Sequence, residues 1–119
     1  MKRVVVCGSR EYENYDEAKS FLEESIGSVE KGELVILSGA CRGADRLGER
    51  FFQEKGYSVE HYLAQWEKYG RGAGIRRNKE MAEKCDMVIC FWDGKSRGTA
   101  SMIEFAKKKE KQVLIKEIL

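Results

Sequence analysis

Five short apolar runs separated by stretches of helical period predict an α/β fold. The expected architecture is a single Rossmann-like three-layer domain with a five-stranded parallel sheet, in the order 3-2-1-4-5. Three observations carry this. The first run, Arg3 to Cys7, contains three consecutive valines, too continuous for a strand with one wet face and suited to a central parallel strand covered on both sides. The segments between runs are long enough for the crossover helices that parallel neighbours require. Finally, polar turns bearing glycine, serine and arginine follow the first, second and fourth runs, where such folds present loops to a ligand.

The first strand breaks at Gly8-Ser9-Arg10. From Tyr15 to Ile26, Ala18, Phe21, Leu22 and Ile26 keep helical spacing, and Gly27 and Gly32 bracket the exit. Leu34 to Leu37 forms a second strand ending in Ser38-Gly39-Ala40-Cys41-Arg42-Gly43-Ala44-Asp45, which leads into a helix with Ala44, Leu47 and Phe51 inward. Ser58 to Leu63 alternates weakly and holds Glu60 and His61, as an edge strand does. After it, Ala64 to Ala73 is long for a connection and rich in Trp66, Tyr69, Gly70, Arg71 and Gly72. Gly74 to Lys84 reads as a helix with Ile75, Met81 and Ala82 inward; Met87 to Phe91 is the fourth strand. Thr99 to Lys109 makes the last helix, and Gln112 to Ile115 closes the sheet.

With 119 residues the chain can build one core, so a single domain is expected over 1–119. Charged residues make up 35% and hydrophobics 42%, the balance of a soluble globular protein. No apolar run reaches the length of a membrane span and the start lacks a signal-peptide core, so the expected compartment is the cytoplasm. The formal net charge of +2 is too small to argue for nucleic acid. Cys7, Cys41, Cys85 and Cys90 form no Cys-x-x-Cys pair and His61 is the single histidine, so neither a metal nor a cofactor is expected. Cys7 and Cys90 read as small core residues, and Lys107, Lys108, Lys109 and Lys111 as a solvated helix end.

The most informative stretch is WDGKSRGTASMIE, Trp92 to Glu104, where a strand feeds a helix through a polar turn. The first N–H groups of a helix lack intrahelical acceptors and carry the positive end of the macrodipole, so this turn is a natural anion site. Gly94 and Gly98 admit close backbone approach, Ser96 and Thr99 offer hydroxyls and Arg97 a guanidinium. With the order 3-2-1-4-5 the strand order reverses between strands one and four, which brings Gly8, Ser9 and Arg10 beside this turn. The second loop adds Ser38, Gly39, Arg42, Gly43 and Asp45, while Arg76, Arg77 and Asn78 fall near the start of the helix that precedes the fourth strand. Of nine arginines, Arg10, Arg42, Arg71, Arg76, Arg77 and Arg97 fall in or just after these connections, a bias that suits a phosphate or carboxylate ligand. Trp66, Tyr69 and Trp92 offer faces for a base or serve loop packing. No Gly-Lys-Ser or Gly-Lys-Thr closes a P-loop and no Gly-x-Gly-x-x-Gly follows the first strand, which disfavours an NTPase and an ordinary NAD dehydrogenase.

Four ordered motifs, GSREY, SGACRGADRLGE, WEKYGRGAGIRRNKEMAEKCD and FWDGKSRGTASMI, resemble the YspA-like, YpsA-related branch of the SLOG superfamily across nearly the whole chain. The resemblance implies a Rossmann-like fold and a nucleotide-related pocket. Relatives include LOG phosphoribohydrolases, DNA-processing DprA proteins and sensor domains for ADP-ribose-like or cyclic signals. LOG enzymes carry Pro-Gly-Gly-x-Gly-Thr-x-x-Glu, whose glutamate serves cleavage of a ribosyl N-glycosidic bond. Here Gly98-Thr99 matches, but proline is missing and Met102 stands in the glutamate position; methionine cannot handle a proton. Glu104 lies two residues on, about 200° around the helix.

The leading expectation is a protein that binds a nucleotide-derived small molecule as sensor, carrier or sequestering protein. Its ligand-binding candidates are Gly8, Ser9, Arg10, Ser38, Gly39, Arg42, Gly43, Asp45, Arg76, Asn78, Trp92, Asp93, Gly94, Ser96, Arg97, Gly98 and Thr99. The enzymatic alternative is a nucleoside-phosphate N-glycoside hydrolase using Asp45, Asp93 or Glu104. A third alternative, single-stranded nucleic-acid binding, is disfavoured by the weak net charge, and no membrane partner is expected. Self-association through helices stays open, with Phe51, Phe52 and Phe105 as core or interface.

Overall fold

A computed structural model describes residues 1–118 of the chain. Five parallel strands form one sheet in the order β3-β2-β1-β4-β5: β1 Lys2–Gly8, β2 Leu34–Ser38, β3 Ser58–His61, β4 Met87–Trp92 and β5 Gln112–Glu117. This is the expected order. The helices are α1 Tyr15–Ile26, α2 Ala44–Glu54, the single turn α3 Trp66–Tyr69, α4 Ala73–Lys84 and α5 Arg97–Lys108. The one-turn α3 gives structure to the long connection that sequence periodicity leaves as a loop; four residues are too few to display a helical period. The third strand also stops at His61, short of Leu63, whose side chain is exposed.

Both faces of the central strands are covered, which explains why Val4, Val5 and Val6 are all buried. Because side chains alternate across a strand, Val4 and Val6 enter one core with Leu22, Ile36, Phe51, Phe52, Ile89 and Phe91. Val5 and Cys7 enter the opposite core with Leu37, Met81, Val88, Cys90, Met102 and Ala106. Phe51 and Phe52 are therefore core, while Phe105 is half-buried. Cys7 and Cys90 are register partners on β1 and β4, with sulfurs 3.3 Å apart; the contact with Cys90 and burial hold the Cys7 thiol well above its ordinary pKa.

One inward assignment is corrected. Ile75 is 53% exposed, because α4 starts at Ala73 and turns Ala73, Arg77 and Met81 toward the sheet, four residues apart. Ile75 sits two residues from Ala73 and from Arg77, roughly 200° around the helix from each. An arginine therefore occupies the place in the buried stripe that an aliphatic residue was expected to fill.

Candidate functional site

A cleft of about 330 Å³ opens at the carboxyl ends of β1 and β4, where the strand order reverses. Its walls come from strand ends, loops and helices: Cys7 and Gly8 at the end of β1 with Ser9 to Glu11 after it, Cys41 and Asp45 after β2, Arg77, Asn78 and Met81 on α4, and Ser96, Gly98, Thr99 and Met102 around the start of α5.

The turn before α5 is locked by its own side chains. Asp93 Oδ1 accepts from the N–H groups of Lys95 at 2.8 Å and Ser96 at 2.9 Å. These two contacts, Lys95 first, hold the Asp93 carboxyl below its ordinary pKa, so it stays ionised as a turn anchor. Ser96 Oγ then caps α5 by accepting from Thr99 N–H. Among the described residues the N–H groups of Arg97 and Gly98 have no acceptor, leaving two donors at the positive end of the helix. Trp92 braces the turn from outside, its indole N–H donating to Ser96 O at 3.2 Å, and it does not line the cleft.

Close packing joins the first two loops. Gly43 has φ +80°, and a Cβ there would strike the carbonyl oxygens of Ser9 and Arg10. Ala44 N–H donates to Ser9 O at 3.1 Å, seating the start of α2 on the β1 loop. Gly39 is covered by Arg77, whose Nη1 would lie 2.8 Å from a Cβ at that position. Gly43 thus serves loop-to-loop contact and Gly39 contact between a loop and α4. Ser38 is equally structural: its hydroxyl donates to the buried Glu49 at 2.7 Å, and His61 meets the same carboxylate at 2.9 Å.

Two charged groups lie buried beside the cleft. Arg77 donates to Gly39 O at 2.9 Å, Tyr62 O at 3.4 Å and Asn78 Oδ1 at 2.9 Å, with Cys41 Sγ at 3.7 Å. No carboxylate lies within ion-pair distance of it among the described residues. Asp45 is 6% exposed and accepts from Cys41 N–H at 3.2 Å. Burial pushes its pKa from an ordinary 3.8 up to about 6, against the opposing pull of the Cys41 N–H and of Arg77 and Arg10.

The remaining candidates disperse. Arg42 pairs with Glu11 at the rim, and Arg76 stacks on the Tyr69 ring with 4.2 Å to the centroid. Arg97 and Gly94 are exposed outside the cleft lining. Glu104 faces solvent and pairs with Lys108 at 3.2 Å, whereas Met102 is buried in the core beneath the cleft. Gly8, Ser9, Arg10, Asp45, Asn78, Ser96, Gly98 and Thr99 do converge there. Sequence reasoning left Arg77 out of the binding set; its four-residue spacing from Ala73 and Met81 was the signal available. Among the described residues no group of three or more His, Cys, Asp or Glu could hold a metal ion, and no helix is long and apolar enough to cross a membrane.

Fold and site together define a doubly wound α/β domain with a polar cleft at its switch point. A family model for the YspA, cpYpsA-related SLOG family matches residues 2–69, and the chain belongs to that family. The Gene 61 protein of Mycobacterium phage D29 is 32% identical over 114 residues, covering 91% of this chain and 90% of the relative. DNA processing protein A (DprA) from Streptococcus pneumoniae shares the fold, with a TM-score of 0.73 at 22% identity over 96% of this chain and 49% of that chain. This chain thus spans about half the length of that solved protein. Family membership supports a nucleotide-related or nucleic-acid-related role.

Proposed function

We propose that the protein binds a nucleotide-derived ligand, such as an ADP-ribose-like molecule, a cyclic nucleotide or a nucleoside phosphate, and acts as a sensor, carrier or sequestering protein. The observation that carries this reading is the convergence of the free Gly98 N–H group, the Thr99 and Ser9 hydroxyls, Arg10 and buried Arg77 around one cleft. Backbone donors at a helix start together with guanidinium groups suit a phosphate. The cleft volume of about 330 Å³ lies at the small end of the ligand-pocket range of ~300–1,000 Å³, which favours one nucleoside-phosphate unit inside and any further part across the open rim.

Calorimetry against ADP-ribose, cyclic dinucleotides, NAD and nucleoside monophosphates tests this. Saturable binding of at least one is expected, and no heat with any of them at millimolar concentration would sink the reading.

One observation favours hydrolysis as a second reading: Asp45 is a carboxylate at the cleft whose pKa of about 6 suits proton handling near neutrality. Asp93 and Glu104 are committed to a backbone turn and a surface pair. Release of free base from AMP or NAD, lost in Asp45→Asn, would establish an N-glycoside hydrolase; unchanged substrate at high enzyme concentration leaves a binding protein. DprA is by its name a DNA-processing protein, and salt-dependent retention of single-stranded DNA would move this chain toward that role.

A further inference from the structure

Asp45 is at odds with its surroundings. Arg10, Arg77 and the Gly98 N–H group give the cleft a positive character, yet at its wall stands a carboxylate that is 6% exposed. One of its oxygens, Oδ2, is used by the Cys41 N–H. The other accepts no hydrogen bond among the described residues, and it is not sealed from the cleft: the buried side-chain polar atom without a partner among them is Arg3 Nε, at the opposite end of β1. No cation comes within ion-pair distance of Asp45 among the described residues. The other carboxylate of the lining, Glu11, is already paired with Arg42 at the exposed rim. A carboxylate this largely desolvated is costly unless donors reach it, the cleft is where one can, and a structural role would need only the Cys41 contact, which an asparagine makes equally well.

The geometry points to Asp45 as the acceptor for a ribose hydroxyl of the bound ligand, making the site selective for ribo- over 2-deoxyribo-phosphates. The assignment rests on the nucleotide reading of the cleft and adds the sugar to it. A neutral hydroxyl fits better than an ammonium group, because Arg10 and Arg77 both act electrostatically on this carboxylate and would repel a second cation. The acceptor lies on the β2 side of the cleft and the phosphate donors on the α5 side, so a sugar 5-phosphate can present its anion to one wall and its ring hydroxyls to the other.

Calorimetric titration of the full chain with inorganic phosphate, ribose 5-phosphate and 2-deoxyribose 5-phosphate tests the assignment. Wild type is expected to bind the ribose form about tenfold or more tightly than the deoxy form, the scale of one charge-assisted hydrogen bond. Asp45→Asn and Asp45→Ala should bring the two sugars to near equality while phosphate binding persists. Asp45→Asn retains an acceptor for Cys41 N–H, so the test survives even if Asp45→Ala does not fold. Equal affinity of wild type for the two sugars, or an unchanged ratio in both variants, would overturn the assignment and leave the phosphate site standing. Absence of binding for all three probes would overturn the nucleotide reading together with it.

Discussion

Asp45 carries an electrostatic cost that a purely structural residue would shed. Its proton is held up to about pH 6 in the folded chain, whereas an exposed aspartate releases it at 3.8. Between those values the folded state binds more protons than the unfolded one, so stability falls as pH rises through this window. Two units correspond to roughly 3 kcal/mol, at 1.36 kcal/mol per unit. Asp45→Asn is therefore expected to be more stable than wild type at pH 8, with the gap closing as pH drops below 4. Urea unfolding at both pH values measures it, and a gap that persists at the lower pH would mean the carboxylate is not the cause. Arg77 is the opposite case, a buried charge whose guanidinium satisfies two carbonyls and an amide oxygen and so binds three elements together.

Two glycines distinguish what the elements around the cleft require. Gly43, just before α2, has φ +80° and lies against the Ser9 and Arg10 backbone, so an added methyl group meets both strain and collision. Gly98, in the first turn of α5, has nothing within 4 Å of where its Cβ would be and lines the cleft. Gly43→Ala should lose on the order of 2 kcal/mol or more of unfolding free energy. Gly98→Ala should instead hold or gain up to about 1 kcal/mol, from helix propensity, while weakening the binding of inorganic phosphate where the ligand approaches the helix start. Melting curves and phosphate titrations of the pair separate the two roles.

Across the whole molecule, β1 is flanked by β2 and β4 and covered on both faces, while β3 and β5 form the edges. Amide exchange should therefore be slowest for Val4 to Cys7 and their partners on β2 and β4, and markedly faster in Ser58–His61, where three of four residues are exposed. Protection of β3 equal to that of β1 would contradict this ordering. The loops that line the cleft leave the sheet at the carboxyl ends of these central strands.

The sequence by itself determined the strands, the parallel sheet and the polar breaks at the strand ends, because continuous apolar runs, crossover lengths and polar breaks are local features. The strand order was decided by the fold, since the sequence allows other orders besides 3-2-1-4-5, and it is this order that makes Gly8-Ser9-Arg10 and the turn before α5 neighbours. What each side chain does there was decided by tertiary structure. Periodicity weighs hydrophobicity, so it could not turn Arg77 inward in place of Ile75, and it could not tell a glycine that meets another backbone, such as Gly43, from one that faces a cleft, such as Gly98. Nor could it supply the surroundings of the three candidate carboxylates: Asp93 is held by two backbone N–H groups, Glu104 pairs with Lys108 in solvent, and Asp45 alone of the three is buried beside the cleft with an oxygen free. Hydrogen-bond partners and desolvation arise from segments distant in the chain, and only folding brings those together.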